Sequence, residues 1–217
     1  EATAASDPSG VEYYFECVAG AGNDSGWQDS TLYQDTGLLP LTDYTYTVTA
    51  RDLSAAQNMT IASAPTVGRT ASDVNILLPS NGGLLESFTS EYSGGYGAAL
   101  LTDGILNQNG WASVAAPSFP QEFVYSFTNG NDATLDAATI HGGLAEGQWF
   151  TKDVEVWTSA DGTNFTLAGN ETLLATALDS VSIPLNGVRA KKDKLSVTRG
   201  YGGTYVELAE FEVYGTA

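Results

Sequence analysis

Three glycine-rich segments hold most of the side chains in this chain that could meet a ligand: EYSGGYG (91–97), HGGLAEGQWFTK (141–152) and TRGYGGTY (198–205). Aromatic rings in such loops leave apolar surface outside any core, which is the pattern of a binding surface. Tyr92, Tyr96, Trp149 and Tyr201 would act as flat platforms for the C–H face of a sugar ring. Tyr and Trp suit this because they offer area at low entropy cost and keep a polar edge. His141, Lys152 and Arg199 stand nearby in sequence as hydrogen-bond or charge partners. Arg199 is the strongest of the three, since a guanidinium forks onto two hydroxyls, a carboxylate or a sulfate. Two of these residues have a plain structural alternative: Trp149 sealing the end of a sandwich, and His141 satisfied at a core edge.

A second feature pairs LLTDG (100–104) with VELAEFEVYG (206–215), each a short weave of polar and apolar residues with a carboxylate at a fixed place. A hard cation such as calcium wants roughly six to eight oxygens on a loop held in a fixed curve. Asp103 is followed by Gly104, which lets the backbone turn so that carbonyls face inward. Nucleophilic chemistry is poorly supplied. There is one histidine, His141, and one cysteine, Cys17, in different halves of the chain. No zinc spacing, phosphate-cradling loop or nucleophile elbow is present. The 26 Asp and Glu residues leave a glycosidase pair open by composition, but most fall in turns or on exposed strand faces. The expectation is a protein that is not an enzyme.

The elements that must carry these loops read as strands. Twenty-four glycines and eleven tyrosines, with little heptad patterning, point to an all-β chain of short strands and tight turns. QEFVYSFTNG puts Phe123, Tyr125 and Phe127 on one face at period two, and YTYTVTARD does the same for Tyr44, Tyr46, Val48 and Ala50. Asp161-Gly162 marks a hairpin tip. Cys17, among apolar neighbours in VEYYFECV, reads as a buried core thiol, and Trp27, Trp111 and Trp157 read as packing residues. The small, polar stretch 62–74 sets a boundary, giving two domains, 1–70 and 71–217.

A net charge of −18 repels nucleic acid and anionic membrane surfaces. No hydrophobic run is long enough for membrane insertion. The charge fits a secreted, extracellular or cell-surface protein in salty water, and the missing initiator Met implies a start inside a larger precursor. Five of the eight basic residues lie in RAKKDKLSVTR (189–199). That strip is either a solvated strand edge guarded by lysines or a landing place for a sulfated polymer.

Two family resemblances follow. Leu39, Pro40, Thr42 and Tyr44 resemble the turn into strand F of a fibronectin type III domain, where a tyrosine corner bonds back to the backbone. The segment is short of a first strand, so that likeness implies an incomplete sandwich with an unpaired edge. AALLTDGILNQNGWAS, VRAKKDKLSVT and LAEFEVYG together resemble the coagulation factor V/VIII type C (discoidin) family and family-32-type carbohydrate-binding modules. This implies a galactose-binding-like jelly-roll sandwich over residues 75–215, with its sugar site in loops at one end and VRAKKDKLSVT as its penultimate strand. It also implies structural Ca2+ held by Asp103, carbonyls near Leu100 and Ile105, Asn107 or Asn109 in place of a hydroxyl, the Ala209 carbonyl and the Glu210 carboxylate. The implied function is non-catalytic binding of extracellular polysaccharide, galactose-rich or sulfated. The alternative is a structural subunit of a filament or surface layer, self-assembled by strand complementation at the first domain's open edge.

Overall fold

All regular structure in the described residues is strand or short 3-10 turn, in a computed structural model that describes residues 1–106, 110–144 and 149–217. Two units are present, Glu1–Ala71 and Ser72–Ala217.

In the first unit, aromatic and β-branched residues draw the chain into β1 (Val11–Ala19), β2 (Trp27–Gln28), β3 (Asp43–Asp52) and β4 (Thr66–Arg69). They form one antiparallel sheet in the order β2-β1-β3-β4. A small core of Ala2, Tyr13 and Phe15 gathers Val11, Tyr33, Val48 and Ala50 around it. Buried Tyr44 closes a corner: its hydroxyl accepts the Leu39 N–H at 2.9 Å. A fibronectin type III sandwich has two sheets; Glu1–Ala71 carries one among the described residues, so the likeness rests on that corner. Cys17 differs from expectation. It is half-buried, and its sulfur accepts the Gly22 N–H at 3.2 Å while facing the Ala19 carbonyl at 3.1 Å.

The second unit holds β5 (Leu84–Phe88), β6 (Trp111–Ala112), β7 (Gln121–Ser126), β8 (Ala133–Gly142), β9 (Thr151–Ser159), β10 (Thr166–Thr172), β11 (Ser180–Ala190), β12 (Lys192–Gly200) and β13 (Glu207–Thr216). Two antiparallel sheets result, β10-β9-β12-β7-β5 and β11-β8-β13-β6. They share one core in which Phe123, Tyr125 and Phe127 from the first sheet's side meet Leu135, Ile140 and Phe211 from the second. Period-two alternation produces this, because every second side chain of a strand faces the same way. The packing role expected for Trp111 holds: it is fully buried, edge-on to Phe123 at 4.8 Å, with its indole N–H on the Ser90 carbonyl at 2.7 Å.

VRAKKDKLSVT is not one strand. Val188–Ala190 ends β11 in one sheet, and Lys192 begins β12 in the other, so Lys191 turns a corner between layers. Pro184 is tolerated in β11 because that strand is an edge. β13 pairs with β8 through a bulge: Leu208 faces Gly142 and Glu210 faces His141, which leaves Ala209 as the extra residue.

Candidate functional site

The three glycine-rich loops converge at one end of the second unit. Tyr92 is placed by its N–H on the Ala112 carbonyl of β6 at 2.8 Å, and Tyr96 by a 3-10 turn whose N–H reaches the Ser93 carbonyl. Trp149 precedes β9, and its carbonyl accepts the Glu207 N–H at 2.9 Å. Tyr205 leads into β13, which Glu207 opens. The rings form a chain of edge-to-face contacts. Tyr96 and Tyr92 lie 6.0 Å apart at 74°, Tyr92 and Tyr205 5.2 Å at 77°, and Trp149 and Tyr205 5.2 Å at 81°. Edge-to-face geometry is one of the two arrangements that aromatic quadrupoles favour.

These residues line a cup of about 210 Å³ with Ala112 and Glu207. Pockets for drug-sized ligands measure roughly 300–1,000 Å³, so the smaller cup fits a single ring better than a long segment. Trp149 is 39% exposed and therefore does not seal the sandwich. Glu207 is only 9% exposed, and its carboxylate has no hydrogen-bond or ion-pair partner among the described residues. Gly143 leaves room for it, since a Cβ there would lie 2.7 Å from Glu207 Cβ. Burial alone pushes the Glu207 carboxyl above the usual glutamate range.

Tyr92, Tyr96 and Trp149 are thus brought together, and four other expected residues are not in the cup lining. The His141 ring nitrogen is 2.9 Å from Glu212, which also accepts the Tyr214 hydroxyl. Lys152 sits 5.0 Å over the Tyr201 ring, and the Tyr201 hydroxyl donates to the Leu173 carbonyl at 2.9 Å. Arg199 is committed to Asp153. Each of these groups thus has a local partner, although Arg199 uses only its Nε for it. Three more residues of the basic strip are likewise paired: Arg189 with Asp132, Lys192 with Glu86, Lys194 with Glu122. Tyr205 and Glu207 were not foreseen. Both lie inside stretches singled out by sequence, and a strand opening on a loop aromatic followed two residues later by a carboxylate is the signal that marks them.

A second polar site lies where the loop after the 3-10 turn Ala98–Thr102 meets β13. Asp103 ends that turn, and its carboxylate accepts the Ile105 N–H at 2.9 Å. Gly104, at φ +80°, donates its N–H to Glu210 Oε1 at 2.9 Å. Glu210 is fully buried, and its Oε2 has no partner among the described residues. Burial pushes the Glu210 carboxyl up to about 8; the Gly104 N–H opposes this, and the nearby Asp103 charge adds to it. Leu100 and Ile105 flank the turn and Ala209 is buried beside Glu210. Asn107 and Asn109 lie outside the described residues. No three His, Cys, Asp or Glu side chains converge as a metal cluster among the described residues.

No family model and no curated protein matches this chain. Solved structures do. The C-terminal domain of a chitobiase from Bacteroides fragilis aligns at TM-score 0.51 and 23% identity, over 62% of this chain and 93% of that one. The family 32 module of NanJ from Clostridium perfringens, solved with galactose, aligns at TM-score 0.52 and 22% identity, over 61% and 93%. CpGH89CBM32-5 from Clostridium perfringens, solved with GalNAc-beta-1,3-galactose, aligns at TM-score 0.53 and 22% identity, over 63% and 98%. At these identities the likeness shows the fold, a β-sandwich shared with family 32 carbohydrate-binding modules.

Proposed function

We propose that the second unit binds carbohydrate without altering it, seating one sugar ring in the cup of Tyr92, Tyr96, Trp149, Tyr205 and Glu207. The observation that carries this reading is the convergence of four aromatic rings and one unpartnered carboxylate in a space of about 210 Å³. Ring faces take the C–H surface of a pyranose, and a carboxylate accepts hydrogen bonds from its polar groups. Among the described residues the cup lining offers a single carboxylate, while retaining and inverting glycoside hydrolysis both use two, so the reading is recognition rather than cleavage. A shared fold with sugar-binding modules supports it. In this reading the chain holds a secreted or surface protein against an extracellular polysaccharide, and weak single sites gain from repetition.

The test is titration of the whole chain against a panel of neutral, amino and sulfated oligosaccharides, followed by tryptophan emission. Trp149→Ala and Tyr205→Ala should each weaken binding about tenfold or more. Lys152→Ala and Arg199→Ala should leave it near wild type, because those groups face other partners. A panel in which no glycan binds would end the proposal.

The same reading places a calcium ion between Asp103 and Glu210. The residues fit one: a fully buried carboxylate oxygen without a partner among the described residues, a second carboxylate close enough to raise its proton affinity, and a glycine that turns the loop. Backbone oxygens of Leu100, Ile105 and Ala209 would complete a shell of hard ligands. The ion would be structural, tying the loop to β13, and thermal unfolding with and without a chelator reads it.

A further inference from the structure

We infer that the cup selects a sugar bearing a free ammonium group, so that the preferred ligand is a cationic amino-sugar glycan rather than a neutral or sulfated one. This rests on the reading of the cup as a carbohydrate site and goes further by naming the ligand's charge.

Among the described residues the cup's lining carries one charge, Glu207, and no Lys, Arg or His. The nearest cations in sequence are used elsewhere, Lys152 over Tyr201 and Arg199 on Asp153. A ligand that covers Glu207 therefore strips a carboxylate of its remaining water. Burying a charge is costly unless a partner neutralises it. A neutral ring returns only hydroxyl donors. An ammonium returns a charge-assisted hydrogen bond, which is roughly twice as strong as a neutral one. The walls point the same way, because the faces of Trp and Tyr attract cations, most strongly where water is excluded. A pyranose with an equatorial amine presents a C–H face to the rings and its charge to Glu207. A sulfate would set a like charge beside that carboxylate, in a chain already at −18.

The experiment is calorimetric titration of the whole chain with a glucosamine tetramer, its fully N-acetylated counterpart and a galactose tetramer, with tetralysine as a competitor. The glucosamine tetramer should bind at least about tenfold tighter than either neutral glycan. Glu207→Gln should erase that advantage while neutral binding changes little, and Trp149→Ala should weaken all three. Tetralysine should not displace the sugar, because it carries charge without a ring.

Equal binding of neutral and amino glycans would overturn the inference and leave the carbohydrate reading standing. An advantage that survives in Glu207→Gln, or that tetralysine abolishes, would assign it to the chain's overall charge and also overturn the inference. Binding of none of the three, nor of any glycan in the wider panel, would remove both. The comparison within wild type needs no variant, so a misfolded Glu207→Gln does not rescue the claim.

Discussion

Asp193 is fully buried on β12 opposite Tyr125, and neither its carboxyl oxygens nor the Tyr125 hydroxyl has a partner among the described residues. Burial pushes the Asp193 carboxyl well above its usual value, and a buried carboxyl without a partner stays neutral by keeping its proton. The folded state thus holds this proton to higher pH than the unfolded chain does. Its contribution is fully present below the unfolded value near 3.8 and is lost as pH rises, at about 1.4 kcal/mol for each pH unit until the folded value is reached. Asp193→Asn should therefore melt above wild type at neutral pH, with the gap closing as pH falls toward 3.8. Parallel melting curves of the two proteins from acid to neutral pH would refute this. The inward aim of Asp193 was legible in KDKLSV, since Asp193, Leu195 and Val197 share a parity. The charges around it masked that signal and made the segment read as a solvated edge.

The approach of β6 and β13 depends on one glycine. A Cβ on Gly110 would meet the Leu208 carbonyl oxygen at 2.0 Å and Ala209 Cα at 2.6 Å, both backbone, so no side chain can swing aside. Gly110→Ala should destabilise the unit by about 1–3 kcal/mol, the usual cost of overpacking. It should also shrink the calcium-dependent rise in melting temperature, which in wild type should vanish with chelator. Unchanged melting in Gly110→Ala, or a wild type indifferent to both calcium and chelator, would contradict this account of the loop. Elements were legible where alternation was clean, as in Phe123, Tyr125 and Phe127, and where a turn signal was strong, as at Asp161-Gly162, with Gly162 at φ +81°. They were not legible at Lys191, where the inward parity shifts from Val188 and Ala190 to Asp193, Leu195 and Val197, because the charged residues around the shift hid it. In the segment WQDSTLYQD only Trp27–Gln28 are strand, and side-chain bonds such as Gln28 to the Ser30 and Leu32 carbonyls hold the residues that follow.

For the whole molecule the governing quantity is a charge of −18. Such self-repulsion works against the compact state, and raising sodium chloride from about 10 mM to about 150 mM shortens the screening length from about 30 Å to about 8 Å. Melting temperature in chelator should rise over that range; a flat or falling curve would show that the ion pairs on β12 outweigh the general repulsion. Composition announced this field and the all-β class. It did not announce that Lys152, Arg199 and His141, chosen as ligand contacts by charge type, each have an intramolecular partner. One last feature binds the scales together. Glu207 and Glu210 stand on the same strand three positions apart, which plain pleating would send to opposite sides, and the surplus residue Ala209 sits between them. Deleting that single alanine would straighten the ladder, since Glu207 and Glu210 would then stand two positions apart and keep their common side by plain alternation, with Leu208 still in the core. What would be lost is the Ala209 carbonyl that the calcium reading uses.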